Sequence, residues 1–177
     1  MLIDSDPQGS ASSGLGIDTD NFKYGTYEVI EQSCDVKDAI TKSSAINVDI
    51  IASNIDLVAI EIELVDIEDR EYMLKKSLKS IKSNYDYIII DCAPSLGLLT
   101  INALTASDSI IIPIQCEYFA LEGLGKLLNT IKSIQKIHNS ILEIEGLLLT
   151  MYDSRLRLSN QVVEEVKNHF NLSLIHI

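Results

Sequence analysis

Three aspartates lie where short apolar runs of the sequence end, and their side chains could bind a metal ion. Asp4 and Asp6 follow an apolar pair in the opening segment LIDSDPQG, and Asp91 ends the run YDYIIID. Such runs, bounded by turn residues, predict buried parallel strands, and ligands bind at the carboxyl ends of those strands. Carboxylates without a nearby His or Cys array favour Mg²⁺, a hard cation that takes oxygen ligands. The sequence therefore predicts a magnesium nucleotide site at one edge of a sheet.

Each of these aspartates also has a simpler alternative role. Asp91 precedes the turn CAPSLG, and Asp4 and Asp6 precede the small-residue segment SASSGLG. A carboxylate after a strand can cap the next helix by accepting hydrogen bonds from its first backbone amides. The residues alone leave both roles open.

Alternating strand and helix patterns must position the aspartates. Residues 10–16 predict a flexible small-residue loop, and residues 55–65 fit either a helix or a strand. Further strands are predicted at 47–52, 85–91, 109–114 and 145–151. Helices are predicted at 26–34, 35–41 (capped by Asp35), 66–82, 96–106, 118–138 and 158–170. This alternation predicts an α/β domain with a doubly wound parallel sheet.

Composition narrows the class of protein. The 177 residues suffice for one α/β domain, and no apolar run approaches the roughly 20 residues that a membrane helix needs. The acidic N-terminus lacks the features of a signal peptide, and three scattered cysteines are typical of reduced cytoplasmic thiols. A formal charge of −12 argues against broad attraction to DNA or anionic lipid but leaves room for a local basic patch. We expect a soluble cytoplasmic protein.

Three longer stretches resemble the ParA/Soj family of chromosome and plasmid partitioning ATPases. They read DSDPQGSASSGLG, YDYIIIDCAPSLGLLTINALTASDSIIIPIQCEYFALEGL and GLLLTMYDSRLRLSNQVVEEVKNHF. They follow the order of the family, which belongs to the deviant Walker class of P-loop ATPases with MinD and the nitrogenase iron protein. The resemblance implies a P-loop NTPase-like fold, ATP and Mg²⁺ as cofactors, and ATP hydrolysis.

The resemblance also implies roles for the aspartates. Asp4 and Asp6 match the family's Walker A′ motif, in which the second aspartate is associated with the hydrolytic water and the first lies near the magnesium shell. Asp91 matches the Walker B aspartate, which holds Mg²⁺ through water. This division suits phosphoryl transfer, in which a metal neutralises phosphate charge while a carboxylate orients the attacking water.

Other positions match the family's nucleotide-binding segments. Pro113, Gln115 and Glu117 lie where the loop after a core strand approaches the nucleotide. Met151 and Asp153 fall near the adenine pocket. These assignments are implied by the resemblance alone.

Arg155, and more weakly its neighbour Arg157, match a segment that contributes to a non-specific DNA-binding surface. Both arginines could equally be ordinary surface charges. The implied partners are nucleoid DNA, a second copy of the chain in an ATP-bound homodimer, and a ParB-like protein that stimulates hydrolysis. The implied location is the cytoplasm, at the nucleoid, with no membrane partner expected.

The sequence departs from the family in one large respect. The phosphate loop, a Lys-Gly-Gly-x-Gly-Lys-Thr run, is absent, and no G-x-x-x-x-G-K-[ST] occurs in the chain. We therefore expect residues 1–171 to be a partial nucleotide-binding domain, incomplete at both ends and inactive alone. Residues 172–177, LSLIHI, are expected to be a non-native tail.

Three alternative functions compete with this interpretation. A MinD-like, membrane-associated ATPase belongs to the same class, but DPQGS after the aspartates favours ParA. A degenerate binding protein without ATPase activity stays open. A phosphoacceptor receiver module is disfavoured because it needs a lysine after its fifth strand, where this chain has Tyr152 and Asp153.

Overall fold

Apolar runs that end at turn residues form strands in the computed structural model, which describes residues 1–93, 95, 97–116, 120–169 and 174–176. The chain divides into two compact units, Met1–Ser107 and Asp108–Ile177. The strands are β1 (Leu2–Ser5), β2 (Ile40–Lys42), β3 (Asp49–Ile51), β4 (Ile89–Cys92), β5 (Ser109–Gln115), β6 (Glu143–Thr150) and β7 (Leu174–His176). The α-helices are α1 (Ser10–Gly14), α2 (Thr26–Glu31), α3 (Ile60–Glu63), α4 (Met73–Leu78), α5 (Leu98–Ala106), α6 (Ala120–Ile137) and α7 (Arg157–His169). Short 3-10 helices span Val36–Ala39, Ile55–Ala59, Arg70–Tyr72 and Lys82–Asn84.

Hydrogen bonding divides the described strands between two sheets, one in each unit. The first has the order β2-β3-β1-β4, and the second has the order β5-β6-β7. All pairs are parallel except β2 with β3, which is antiparallel. The predicted α/β class with a parallel sheet is confirmed, although a single continuous sheet was expected.

In the first unit, helices pack on the four-stranded sheet. Helix α4 contacts α2 and α5, and both of these contact β1. Ile3, Ile51, Leu74 and Ile81 are fully buried in this core. Burying one such side chain contributes about 1.5–3 kcal/mol. Ile3 therefore anchors β1 one residue before Asp4.

In the second unit, each element buries residues at its own period. On β6, Leu147 and Leu149 are two residues apart and fully buried, as expected when alternate side chains face the core. On α6, Ile131 and Ile134 are buried while positions between them are exposed, which makes the helix amphipathic. Within the described residues, no helix combines the length and apolar content needed to cross a lipid bilayer.

The predicted helix at 66–82 is much shorter in the structure. Asp69 adopts φ 58°, a left-handed conformation that interrupts a helix, and α4 begins only at Met73. Asn102 of α5 fixes this start, because its side chain accepts a hydrogen bond from Leu74 N (3.1 Å) and donates one to Arg70 O (2.8 Å). That partner is distant in sequence and leaves no local signal.

The predicted helix at 35–41 is wrong beyond Ala39. Its cap is confirmed, since the Asp35 carboxylate accepts a hydrogen bond from Lys37 N at 2.9 Å. The helix is a single 3-10 turn, after which Ile40–Lys42 pairs with β3. Ile40 and Thr41 are β-branched and favour a strand once a partner is available.

Two other segments are helical. The expected loop at 10–16 contains helix α1, so that prediction is wrong for Ser10–Gly14. Residues 55–65, which fitted two interpretations, form a 3-10 helix followed by α3.

Near the other end of the chain, residues 174–176 form β7 beside β6. The expectation that residues 172–177 are a non-native tail stays a prediction.

Candidate functional site

The structure brings the three aspartates to one edge of the four-stranded sheet. Strands β1 and β4 are parallel neighbours, with Asp4 opposite Asp91 and Ser5 opposite Cys92. Asp6 follows one residue beyond the end of β1. Because parallel strands run in the same direction, both strands present their carboxyl ends at this edge.

Asp4 is fully buried, and both of its carboxylate oxygens accept hydrogen bonds from the chain. Oδ1 accepts from Asp6 N (3.1 Å), and Oδ2 accepts from Ser12 N (2.8 Å) and Ser12 Oγ (2.7 Å). The Asp4 carbonyl oxygen accepts a further bond from Thr26 Oγ1 at 2.5 Å. A buried carboxylate is stable only when its oxygens are bonded in this way. Asp4 thus organises the surrounding loop.

Asp6 lies in a tight turn that leads into α1. Its Oδ1 accepts a hydrogen bond from Gln8 N (2.9 Å), and its carbonyl oxygen accepts one from Gly9 N (3.0 Å). Gly9 closes the turn with φ 62°. The Asp6 carboxylate is only half-buried, so it is held in place while still meeting solvent.

Asp91 is exposed at the end of β4. Partial burial of its carboxyl group raises its pKa, and the negative charges of Asp4 and Asp6 raise it further. The same repulsion that favours a proton on Asp91 favours a bound cation. The edge therefore has the electrostatic character of a cation site.

The donor set fits Mg²⁺ in one particular way. Within the described residues, no group of three or more His, Cys, Asp or Glu side chains is arranged to hold a metal ion. Asp4 has its oxygens engaged, whereas Asp91 is exposed. Mg²⁺ usually keeps several waters and takes only one or two protein carboxylates together with phosphate oxygens. The residues fit that arrangement better than a closed protein cage.

The thiol of Cys92, beside Asp91, is held in its protonated form at neutral pH. Burial raises the pKa of its thiol to about 11, and the charges of Asp91 and Asp6 act in the same direction. Burial also raises the pKa of Cys34 and Cys116. Protonated thiols are poor metal ligands and weak nucleophiles.

Strand β5 carries two of the residues predicted to approach a nucleotide. The predicted strand at 109–114 includes Pro113, and in the structure it continues through Gln115. Among the described strands, β5 lies at the edge of its sheet, where the missing N–H of a proline is tolerated. Both side chains are exposed, and their contact with a nucleotide stays a prediction. Glu117 lies outside the described residues.

The loop after β6 carries Met151 and Asp153. Met151 has φ 55°, unusual for a residue with a side chain, and is 78% exposed. The Asp153 carboxylate bonds Arg155: Oδ1 accepts from the backbone N and from Nε, both at 2.9 Å, and Oδ2 accepts from a terminal guanidinium nitrogen at 2.7 Å. This pairing lowers the pKa of Asp153. The predicted adenine contacts of Met151 and Asp153 stay predictions.

Of the two arginines predicted to contact DNA, Arg155 lies in the turn before α7 and Arg157 lies at the start of the helix. The Arg155 side chain is 87% exposed although it pairs with Asp153. Arg157 is the first residue of α7 and is also exposed. Both can reach a partner from solvent.

Two serines that the sequence patterns did not single out, Ser12 and Ser53, complete the network around Asp4. Ser12 is fully buried, and its Oγ accepts a hydrogen bond from Ser53 N at 3.0 Å. Ser12 lies within α1, whose N-cap is Gly9, so no capping pattern in the sequence singles it out. The partner Ser53 is 41 positions away, which no local pattern reveals.

Comparison of the sequence with known proteins found clear relatives. A model of the AAA domain family matches residues 1–144. The sporulation initiation inhibitor protein Soj of Bacillus subtilis is 55% identical over 170 residues, which are 96% of this chain and 67% of that protein. The chromosome partitioning protein ParA of Myxococcus xanthus is 45% identical over 177 residues, covering 100% of this chain and 62% of that protein. The chain thus spans about two thirds of the length of these curated relatives.

Solved structures show the same fold. A cobyrinic acid a,c-diamide synthase from Mycobacterium smegmatis with bound ADP and magnesium has a TM-score of 0.91 and 38% identity, over 97% of this chain and 69% of that chain. A plasmid partition protein from Borrelia burgdorferi has a TM-score of 0.81 and 32% identity, over 99% of this chain and 74% of that chain. The α/β arrangement is therefore shared with nucleotide-binding and plasmid partition proteins.

Proposed function

Since the chain belongs to the Soj/ParA family of chromosome partitioning ATPases, we propose that the whole protein hydrolyses ATP with Mg²⁺ to partition DNA. The observation that carries this proposal is the pairing of Asp4 with Asp91 on adjacent parallel strands, with Asp6 in the turn that follows. The ADP and magnesium bound to the M. smegmatis neighbour support the choice of nucleotide and metal.

The roles of the carboxylates follow from their exposure. Asp91 is exposed and would hold Mg²⁺ through water, while half-buried Asp6 would accept a hydrogen bond from the attacking water. Asp4 is buried, so it would contribute to the magnesium shell and to catalysis indirectly. Its carboxylate would hold Asp6 and the surrounding loop in position. When bound, Mg²⁺ would neutralise charge on the phosphate oxygens.

We further propose that ATP binding brings two copies together and that the dimer binds nucleoid DNA without sequence preference. Arg155 would contact backbone phosphates, with Arg157 as a weaker contributor, and phosphate contacts carry no sequence information directly. Because the chain has a formal charge of −12, attraction to DNA must come from such local groups. A ParB-like partner in the cytoplasm would stimulate hydrolysis and so release the DNA.

The 177 residues alone are expected to bind ATP weakly. They contain no G-x-x-x-x-G-K-[ST] motif, and so they lack the loop amides that surround phosphates and the lysine that balances phosphate charge. Isothermal titration of the isolated chain with Mg-ATP tests this. Micromolar affinity would show that the chain has another phosphate-binding element.

The deciding experiment is Asp6→Ala in the whole protein. We expect kcat for ATP hydrolysis to fall at least about 100-fold, because a positioned carboxylate contributes that much or more to a proton-transfer step. Affinity for Mg-ATP should change little, since Asp6 orients water and does not hold the nucleotide. Asp86→Ala, at an exposed aspartate outside the sheet edge, is the matched control and should hydrolyse normally. Normal hydrolysis by Asp6→Ala would remove the assigned role.

A further inference from the structure

Ser12 stands at the centre of a buried hydrogen-bond chain that links three separate segments. Its Oγ donates to Asp4 Oδ2 (2.7 Å) and accepts from Ser53 N (3.0 Å), while its backbone N donates to the same Asp4 oxygen (2.8 Å). Ser12 and Asp4 are fully buried and Ser53 is 1% exposed. No part of this chain of hydrogen bonds depends on solvent.

The hydrogen bonds fix the direction of the Ser12 proton. The Ser53 amide can only donate to Oγ, and the Asp4 carboxylate oxygen accepts, so the single hydroxyl hydrogen points to Asp4. Hydrogen bonds to a buried charge are stronger than neutral ones, and linked bonds strengthen one another. The Ser12 hydroxyl therefore acts together with the backbone amides of Ser12 and Asp6 to hold the Asp4 carboxylate in one rotational position.

This position matters because Asp4 also holds the backbone of Asp6. Asp4 Oδ1 accepts from Asp6 N at 3.1 Å, at the start of the turn that Gly9 N closes on Asp6 O at 3.0 Å. If Asp4 rotates, the Asp6 amide loses its partner and the turn can shift. A shift of about 1 Å in a group that positions a reactant can cost about 100-fold in rate.

We propose that Ser12 is a positioning residue for ATP hydrolysis, acting through Asp4 on the Asp6 turn. The inference rests on the proposed role of Asp6. Because Ser12 is fully buried, it acts without touching the nucleotide. Its loss should therefore lower kcat and leave the KM for Mg-ATP nearly unchanged.

The test compares serine variants in the whole protein. Ser12→Ala should lower kcat about tenfold or more, with the KM for Mg-ATP within about twofold. Ser12→Thr keeps the hydroxyl and should restore kcat to within about threefold of the parent. The matched control is Ser77→Ala, which removes a hydroxyl that donates to Val29 O at 2.9 Å in the same unit. This control should lose stability without losing kcat.

Each outcome separates the inference from the function on which it rests. If Asp6→Ala abolishes hydrolysis while Ser12→Ala hydrolyses normally, the inference is overturned and the proposed function stands. If Asp6→Ala hydrolyses normally, the role of the turn is lost and the inference with it. An equal fall of kcat in Ser12→Ala and Ser77→Ala would show a merely structural role.

A variant that does not fold need not prevent the test. If Ser12→Ala is unfolded at the assay temperature, Ser12→Cys replaces it, because a thiol fills the site but donates only weakly. The same selective loss of kcat is expected from folded Ser12→Cys. Normal kcat in that variant would overturn the inference.

Discussion

Replacing Gly9 with alanine should destabilise the turn that carries Asp6. Gly9 has φ 62°, in the left-handed region, where a side chain costs about 1–2 kcal/mol. An added Cβ would lie 2.7 Å from the carbonyl oxygen of Ser53 and 3.2 Å from Cγ2 of Thr19. The first of these clashes is with backbone and cannot be relieved by rotating a side chain.

The expected loss can be bounded from these distances. Forcing an extra methyl group into a packed site costs about 1–3 kcal/mol, in addition to the backbone strain. Alanine also restricts the unfolded chain, which offsets about 0.4–1 kcal/mol of the loss. The free energy of unfolding should therefore fall by about 3 kcal/mol.

Urea denaturation of the whole protein, followed by circular dichroism, measures this loss. Gly14→Ala is the matched control, because it makes the same chemical change at the end of α1, where an added Cβ meets nothing within 4 Å. The control should be neutral or more stable by up to about 1 kcal/mol. If Gly9→Ala unfolds within about 0.5 kcal/mol of the parent, as an ordinary surface change would, the account of the turn is refuted.

Two further predictions concern charged pairs. The pKa of Asp49 is lowered, first by a hydrogen bond from Lys42 and also by one from Tyr85. The charged carboxylate therefore stabilises the folded protein at any pH above the pKa of Asp49 in the unfolded chain. This stability is lost as the pH falls through the lower pKa of the folded state. Thermal melts should show Asp49→Asn less stable than the parent at pH about 7, with the difference shrinking toward pH about 2, and a constant difference would contradict this. Asp153→Asn removes the carboxylate that binds Arg155. The ATP-bound protein should then bind DNA more tightly. The slope of log affinity against log salt concentration should be steeper by about 0.9 for each additional phosphate that the arginine neutralises. Fluorescence anisotropy measures this, and the tighter binding should vanish when Arg155→Ala is added; tighter binding that persists would show that Arg155 does not touch the DNA.

The sheet edge was predictable because its signals are local. The apolar runs before Asp4 and Asp91 and the turn residues after them lie within a few positions of each aspartate. Two parallel strands then place their ends together whatever the details of packing. The register that sets Asp4 opposite Asp91 is set by packing of the two strands in the core, and the local signals do not predict it.

The start of α4 and the presence of α1 could not be predicted from local sequence, because both depend on hydrogen bonds to residues distant in the chain. Helix α4 starts where Asn102 bonds to Leu74 N, across 28 positions, so the helical periodicity of 66–82 overestimated its length. Helix α1 lies where a loop was expected, because the buried carboxylate of Asp4 bonds Ser12 N from eight positions away. In both cases a buried polar group, which must find a partner, outweighed local preference.

Burial distinguishes two aspartates that share the same sequence pattern. Asp4 and Asp6 are two positions apart, and in an extended strand they would face the same side. The strand ends at Ser5, however, so the turn takes Asp6 to a half-exposed position while Asp4 stays fully buried. A fully buried carboxylate is out of reach of a water at the sheet edge, whereas a half-exposed carboxylate can accept a hydrogen bond from one. The end of β1 at Ser5 therefore supports the proposal that Asp6 orients the water and that Asp4 holds the turn in place.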